Sequence, residues 1–333
     1  MSTGKNPGIA DTHLSDRRRR IRLAAAVAVI VAAGVVAAAF LLRPPAHASQ
    51  TSCSAAPSKC GFPDATTTGV QPSATLQAVP GKVTSGTGWS WDASSKSVEV
   101  TTAGANITGL NISGALDITA NNVTVNGVHV TGNGGNFGVS LRHTTGATIE
   151  NSTIAGSNAT TGRISAGISD VYGDSTGMVI KNNDISNFKT AIQVSTGQIT
   201  GNYIHDPGYV AGDHTNGILD VGTSQPLTIS HNTILNSLGQ TDAVSLDATG
   251  SGQTISNKTV SDNLLGGGSY TIYGGDSNSN TVSHISITGN DFSQAYYPTS
   301  GQYGPVAYFS TSASGDTWSG NIWDKTGQAV PAP

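Results

Sequence analysis

Charge is what this 333-residue chain has least of: Asp, Glu, Lys and Arg make up 11% of it, under half of the roughly 25% usual for a globular domain. Past the first fifty residues Glu, Lys, Leu and Arg are scarce, which excludes a coiled coil or a large helical bundle. Arginine nearly vanishes there, leaving only Arg142 and Arg163. Residues 49–333 hold 9 basic and 18 acidic side chains, a formal net of −9. Nucleic-acid binding needs a basic face against phosphate, so that class is excluded. Disorder is excluded too, because 36% of residues are apolar and the whole chain carries only −4. Cysteine is limited to Cys53 and Cys60, and no segment after residue 49 keeps a helical period over three turns. What is abundant is Gly, Thr, Ser, Asn, Val and Ile, the composition of a β-rich chain.

The basic residues that exist are gathered at the front. A basic region, residues 1–22, carries Arg17 to Arg20 and Arg22, and an uncharged apolar stretch of 20 residues follows, Leu23 to Leu42. That length suits one bilayer-spanning helix, and its flanking arginines keep the amino terminus cytoplasmic. Arg43-Pro44-Pro45 end it, and Ala46-His47-Ala48 resembles a signal-peptidase site. Residues 23–48 are therefore expected to be a cleaved signal peptide or a retained anchor. In both cases residues 49–333 are expected outside the cytoplasm, touching a membrane only through 23–42. Cys53 and Cys60 are expected to close a small disulfide loop there.

An internal repeat organises the remainder. The pattern apolar-x-x-Asn-x-apolar runs from Ile180 to Ile185, Ile199 to Ile204, Ile229 to Ile234, Val260 to Leu265, Ile287 to Phe292 and Trp318 to Trp323. Degenerate copies begin at Ile107, Val125 and Ile149, and the nine copies recur every 18–31 residues. A second short strand lies between copies, as in Val139-Ser140-Leu141, Ile192-Gln193-Val194 and Val244-Ser245-Leu246. Short strands at such intervals predict a solenoid of stacked parallel strands. Nine rungs spaced about 4.8 Å apart would make a rod roughly 40 Å long. The recurring Asn183, Asn202, Asn232, Asn263, Asn290 and Asn321 are expected to take left-handed corners and stack as an amide ladder.

These features, with the opening Cys60-Gly61-Phe62-Pro63-Asp64-Ala65-Thr66, resemble the pectate-lyase-like superfamily of right-handed parallel β-helix proteins, over residues 60–330. The resemblance implies an all-β fold: one right-handed parallel β-helix over 93–333, preceded by an N-terminal segment and cap over 49–92 and expected to act as a monomer. Trp89 and Trp91 would cap its first rung, and Trp318 and Trp323 its last. It also implies activity on a polysaccharide.

One stretch departs from the Ser/Thr/Asn background. His205 to Asp220 contains two His and three Asp, and Thr241 to Asp247 follows one rung on. In polygalacturonases Asn-Thr-Asp-Gly-Ile and Asp-Asp-Cys-Ile carry the catalytic aspartates. His214-Thr215-Asn216-Gly217-Ile218 matches the first motif with Asn216 in place of an aspartate, and Thr241-Asp242-Ala243-Val244 keeps only Asp242 of the second. The family's Gly-His-Gly and Arg-Ile-Lys signatures have no counterpart. Asp242, His214 and Asp213 are the candidate catalytic residues, with Asp242 as acid and His214 as base or orienter. Asp220, sharing the parity of core-facing Ile218, is a poorer carboxylate. Asn216, Asp247, Lys189, Gln193, Tyr273 and His205 are candidate contacts to sugar.

Two chemistries compete at that cluster. Hydrolysis needs two carboxylates about 5–9.5 Å apart, which Asp213 and Asp242 would supply. Elimination needs a base, for which His214, Lys189 and Tyr273 are candidates, and a cation beside the uronate carboxylate. Asp213, Asp242 and Asp247 are candidate ligands for a calcium ion, which takes about six to eight oxygens. A third reading has no chemistry: an adhesin-like surface with Tyr270, Tyr273, Tyr296, Tyr297, Tyr303 and Tyr308 stacked against sugar rings.

Overall fold

The computed structural model describes residues 52–132, 136–156, 165–246, 252–276 and 279–333. The leader (residues 1–48) and Asp247 lie outside the described residues. No described helix is long and apolar enough to cross a membrane.

Valine and isoleucine at alternate positions of three- to five-residue runs favour short strands with one buried face. Those strands pair into three sheets of ten, eleven and nine strands, in parallel except for two antiparallel pairings at the start of the eleven-stranded one. Successive strands of the chain visit the three sheets in turn, so the backbone winds as a parallel β-helix. The nine copies of the repeat fall one on each strand of the nine-stranded sheet, from Asn106–Thr108 to Thr317–Ser319. Among the described residues eight turns are complete, and the ninth ends after Ile322–Trp323 without a strand in the eleven-stranded sheet. The expected nine rungs are thus one complete turn too many, since the ninth has described strands in two sheets and not in the third.

The core is a set of aliphatic columns. In the nine-stranded sheet Ile107, Val125, Ile149, Ile180, Ile199, Ile229, Val260 and Ile287 stand in register, each no more than 1% exposed. Phe292, Phe309, Trp318 and Trp323 close the C-terminal end, with Phe292 5.7 Å from Trp318 and the Trp318 indole N–H donating to the Val330 carbonyl. At the other end Trp89–Asp92 pairs antiparallel with Ser97–Val100, and both tryptophans pack on the core.

The asparagines form the expected ladder. Asn183 donates from Nδ2 to Asn202 Oδ1 at 3.0 Å, Asn202 to Asn232 and Asn232 to Asn263 at 2.9 Å, and the chain of amides runs on through Asn290 to Asn321. All six are at most 1% exposed. The left-handed corner, however, belongs to the preceding residue: Asn182, Gly201, His231, Asp262, Gly289 and Gly320 have φ of 54–69°. A sharp corner there turns the next side chain inward, which places the amide inside the coil.

The segment before the first strand runs the length of the solenoid along the ten-stranded sheet. Cys53 N–H meets Asp324 on the last turn, Phe62 stacks at 6.2 Å on His231, Gly69 N–H donates to Asn182 O, and Val70 N–H to Thr153 Oγ1. It ends at Gln77–Val79, paired with Leu110–Ile112 on the first turn. Cys53 and Cys60 form a disulfide within this strap.

Candidate functional site

The eleven-stranded sheet carries the site. Its strands Thr190–Gln193, Thr215–Leu219 and Thr241–Ser245 are adjacent, with Thr190, Asn216 and Asp242 in one column. A second column holds Gln193, Leu219, Ser245 and Tyr273. Close approach of these strands needs a small residue at 217: a Cβ there would stand 2.4 Å from both the Ala243 carbonyl and an Ile234 methyl. The Gly in Asn216-Gly217-Ile218 is thereby a packing requirement.

The two columns floor a groove of about 440 Å³, lined by Lys189, Gln193, His214, Asn216, Asp242 and Tyr273, with Ser165, Thr190, Leu219, Thr241 and Ser245 between them. Asn216 donates from Nδ2 to Asp242 Oδ2 at 2.8 Å, and Thr190 Oγ1 stands 3.5 Å from Asn216 Oδ1. Behind the floor Asn236, 3% exposed, donates to the carbonyls of Thr215 and Asp242, both at 3.0 Å. That buried amide ties neighbouring strands together and fixes the carboxylate's backbone. His214 is exposed at the rim, its Nδ1 3.3 Å from Thr241 Oγ1 and its ring beside Gln240. Burial, and then the nearby Asp242 carboxylate, push the Tyr273 phenol up to about 12. Tyr273 therefore holds its proton at neutral pH.

The remaining candidates lie elsewhere. Asp213 is not among the groove-lining residues; its carboxylate accepts from Val210 N–H at 2.9 Å and shapes the insert that precedes the strand. His205 is on the ten-stranded sheet, held between Asp184 at 2.9 Å and Asp206 at 2.7 Å and stacked 4.1 Å from Tyr203. Burial opposes its charge, but the two carboxylates prevail and raise it above the ordinary imidazole value. Beside it a crevice of about 10 Å³, between Phe188, Pro207 and Asn216, has room for one water at most. No described cluster of three His, Cys, Asp or Glu could hold a metal ion, and Asp247, the third candidate calcium ligand, lies outside the described residues.

Asp220 follows its parity and is fully buried, where it pairs at 3.1 Å with Lys258, itself 0% exposed. Lys258 Nζ also donates to the carbonyls of Ser195 and Gln225 at 2.8 and 2.9 Å. Nothing in its Ser/Thr/Asn surroundings marks this lysine as internal; only its strand parity, two residues before core-facing Val260, could have revealed it. Tyr296 stands near Tyr203 and Asp206, and burial, then the Asp206 charge, raises its phenol.

No protein-family model matches the chain, and no curated protein matches it. One solved structure similar to it is the Dettilon tailspike protein (gp208), 18% identical over 59% of this chain, with a TM-score of 0.37. The match spans 43% of the tailspike's length.

Proposed function

We propose that this protein is an exported polysaccharide-processing β-helix of the pectate-lyase-like kind, and that its groove cleaves an acidic glycan by β-elimination. One observation carries the reading: the groove gathers Lys189, His214 and Tyr273 around a single described carboxylate, Asp242. Hydrolysis calls for two carboxylates across the bond, and Asp213 is turned into its own loop.

Each group has a part in elimination. Lys189 neutralises the uronate carboxylate, which acidifies the adjacent C5–H and offsets the repulsion from the net −9 carried by residues 49–333. His214 accepts the C5 proton, the electron pair forms the C4=C5 double bond, and the C4–O4 bond breaks. Tyr273 donates its proton to the departing O4. Asp242 keeps that phenol protonated beforehand and orients Asn216 toward the sugar. A general acid or base of this kind contributes roughly 100-fold or more.

The test is incubation with alginate, polygalacturonate and neutral glucans, following both unsaturated-uronate absorbance and new reducing ends. Absorbance should rise in step with reducing ends on an acidic polymer. Tyr273→Phe and His214→Ala should each slow it at least about 100-fold. Reducing ends without absorbance would mean hydrolysis. Neither signal would leave the adhesin-like reading, which the mutually stacked tyrosines on the same sheet favour.

A further inference from the structure

The groove does not stop at Tyr273. Tyr270, on the same strand, meets the Tyr273 ring edge-on at 5.7 Å, Tyr303 leans on Tyr270 at 6.0 Å, and Tyr308 on Tyr273 at 5.7 Å. Tyr303 and Tyr308 flank the next strand, Gly304–Ala307, whose Gly304 and Ala307 pair with Tyr270 and Tyr273. They are 65% and 52% exposed. Large aromatic rings left in water in mutual contact are unlike singly scattered surface tyrosines, which need no explanation. Gly304 contributes as well: a Cβ there would meet the Tyr270 ring at 3.3 Å.

We infer that Tyr270, Tyr273, Tyr303 and Tyr308 are ring-stacking subsites that continue the groove, and that its ligand is a long uronate polymer laid along the solenoid axis. The inference rests on the carbohydrate reading of the groove but not on cleavage. Three features identify the ligand. The cluster shares Tyr273 with the groove, so one ligand spans both. Phenol rings offer an apolar face to sugar C–H groups and a hydroxyl to sugar hydroxyls. Adjacent strands lie about 4.8 Å apart, close to the length of one pyranose unit, so successive sugars meet successive strands. Lys189 selects acidic units at one end, and the tyrosines grip the uncharged ring faces at the other.

Dimers to hexamers of alginate and polygalacturonate, titrated calorimetrically into the full chain carrying His214→Ala to suppress turnover, test this. Affinity should tighten at least about tenfold, a gain of roughly 1.4 kcal/mol, between dimer and hexamer of one of the two. Tyr303→Ala with Tyr308→Ala should erase that gain while leaving dimer affinity and thermal stability unchanged. Tyr172→Ala, an exposed tyrosine stacked on His143, should leave the gain intact. Retention of the unbroken polymers in affinity electrophoresis with the unsubstituted chain supplies a second reading. The inference fails if hexamer and dimer bind alike, if the double variant keeps the gain, or if neither polymer series binds. Length-dependent binding lost in the tyrosine variants, without unsaturated product from the unsubstituted protein, would uphold the subsites and sink only the elimination.

Discussion

Asn232 sits at the middle of the amide ladder, and Asn232→Ala is the sharpest probe of what holds the coil. Its Oδ1 accepts from both the backbone N–H and the Nδ2 of Asn202, each at 2.9 Å. Its Nδ2 donates to Asn263 Oδ1 at 2.9 Å and to the carbonyls of Ile199 and Ser230 at 3.0 Å. Alanine removes all five bonds in a place with no solvent exposure. Asn202 Nδ2 keeps Ile180 O and Thr200 O, and Asn263 Oδ1 keeps the backbone N–H of residue 232. The Asn202 N–H and the Ile199 carbonyl lose their ladder partner. An orphaned buried group costs about 1–3 kcal/mol, so with the small void the loss should be about 3–5 kcal/mol.

Asn126 offers the control, since it belongs to a partly exposed outer stack, where its side chain accepts from Asn151 Nδ2 at 3.1 Å. Asn126→Ala should cost no more than about 0.5 kcal/mol. Urea titration of both variants compares them, and hydrogen exchange at the neighbouring turns shows whether the loss is local, as a solenoid's near-neighbour energetics require. A cost for Asn232→Ala below about 1 kcal/mol, or equal to that of Asn126→Ala, would refute the assignment of stability to the ladder.

Two further outcomes follow from buried charge. Lys258→Met should destabilise by about 3–5 kcal/mol because it strands the Asp220 carboxylate in the core, and adding Asp220→Leu should recover much of that; strictly additive losses in a double-mutant cycle would contradict the pairing. His205 and His231 are both raised above the imidazole value of 6.5, His205 by Asp184 and Asp206 against burial, His231 chiefly by its hydrogen bond to Asp262. A raised native value means the stabilisation is complete below pH 6.5 and fades as pH climbs through the native titrations above it. Melting temperature should therefore fall over that interval, with faster exchange around Phe62, which rests on His231. His205→Gln should flatten the pH profile, and an unchanged profile would count against the clamp.

The parts legible in the sequence are those that repeat. Ile180, Ile199 and Ile229 recur because each must lie on the one below, so spacing alone exposes the coil. Asp242 was legible from strand parity, since it and Asn216 each stand two residues before a core-facing residue, Val244 and Ile218, on neighbouring strands. Asp213 was not, because a carboxylate that caps its own loop and one that faces a ligand have the same local sequence. Lys258 was hidden by composition: a lysine among Ser, Thr and Asn reads as solvated, and its oxygen cage comes from residues 33 to 63 positions away. The strap was invisible too, because its contacts join Cys53 to Asp324 and Phe62 to His231 without any period.

A solenoid repeats its backbone, so any place where chemistry collects must break the repeat. Here one break is the insert between His205 and Thr215, which leads into exposed His214 beside Gln240 and Thr241. The strands beneath are held by Gly217, which lets them approach, and by Asn236, which bonds across them. Two strands on, the second departure replaces small polar side chains with tyrosines. Both departures fall on the eleven-stranded sheet, while the strap follows the ten-stranded one. The strap and the groove thus occupy different sheets, so the segment that spans every turn does so without covering the surface where sugar would bind. A fold assembled from nearest-neighbour contacts gains from such a strap, because it links turns that otherwise never touch.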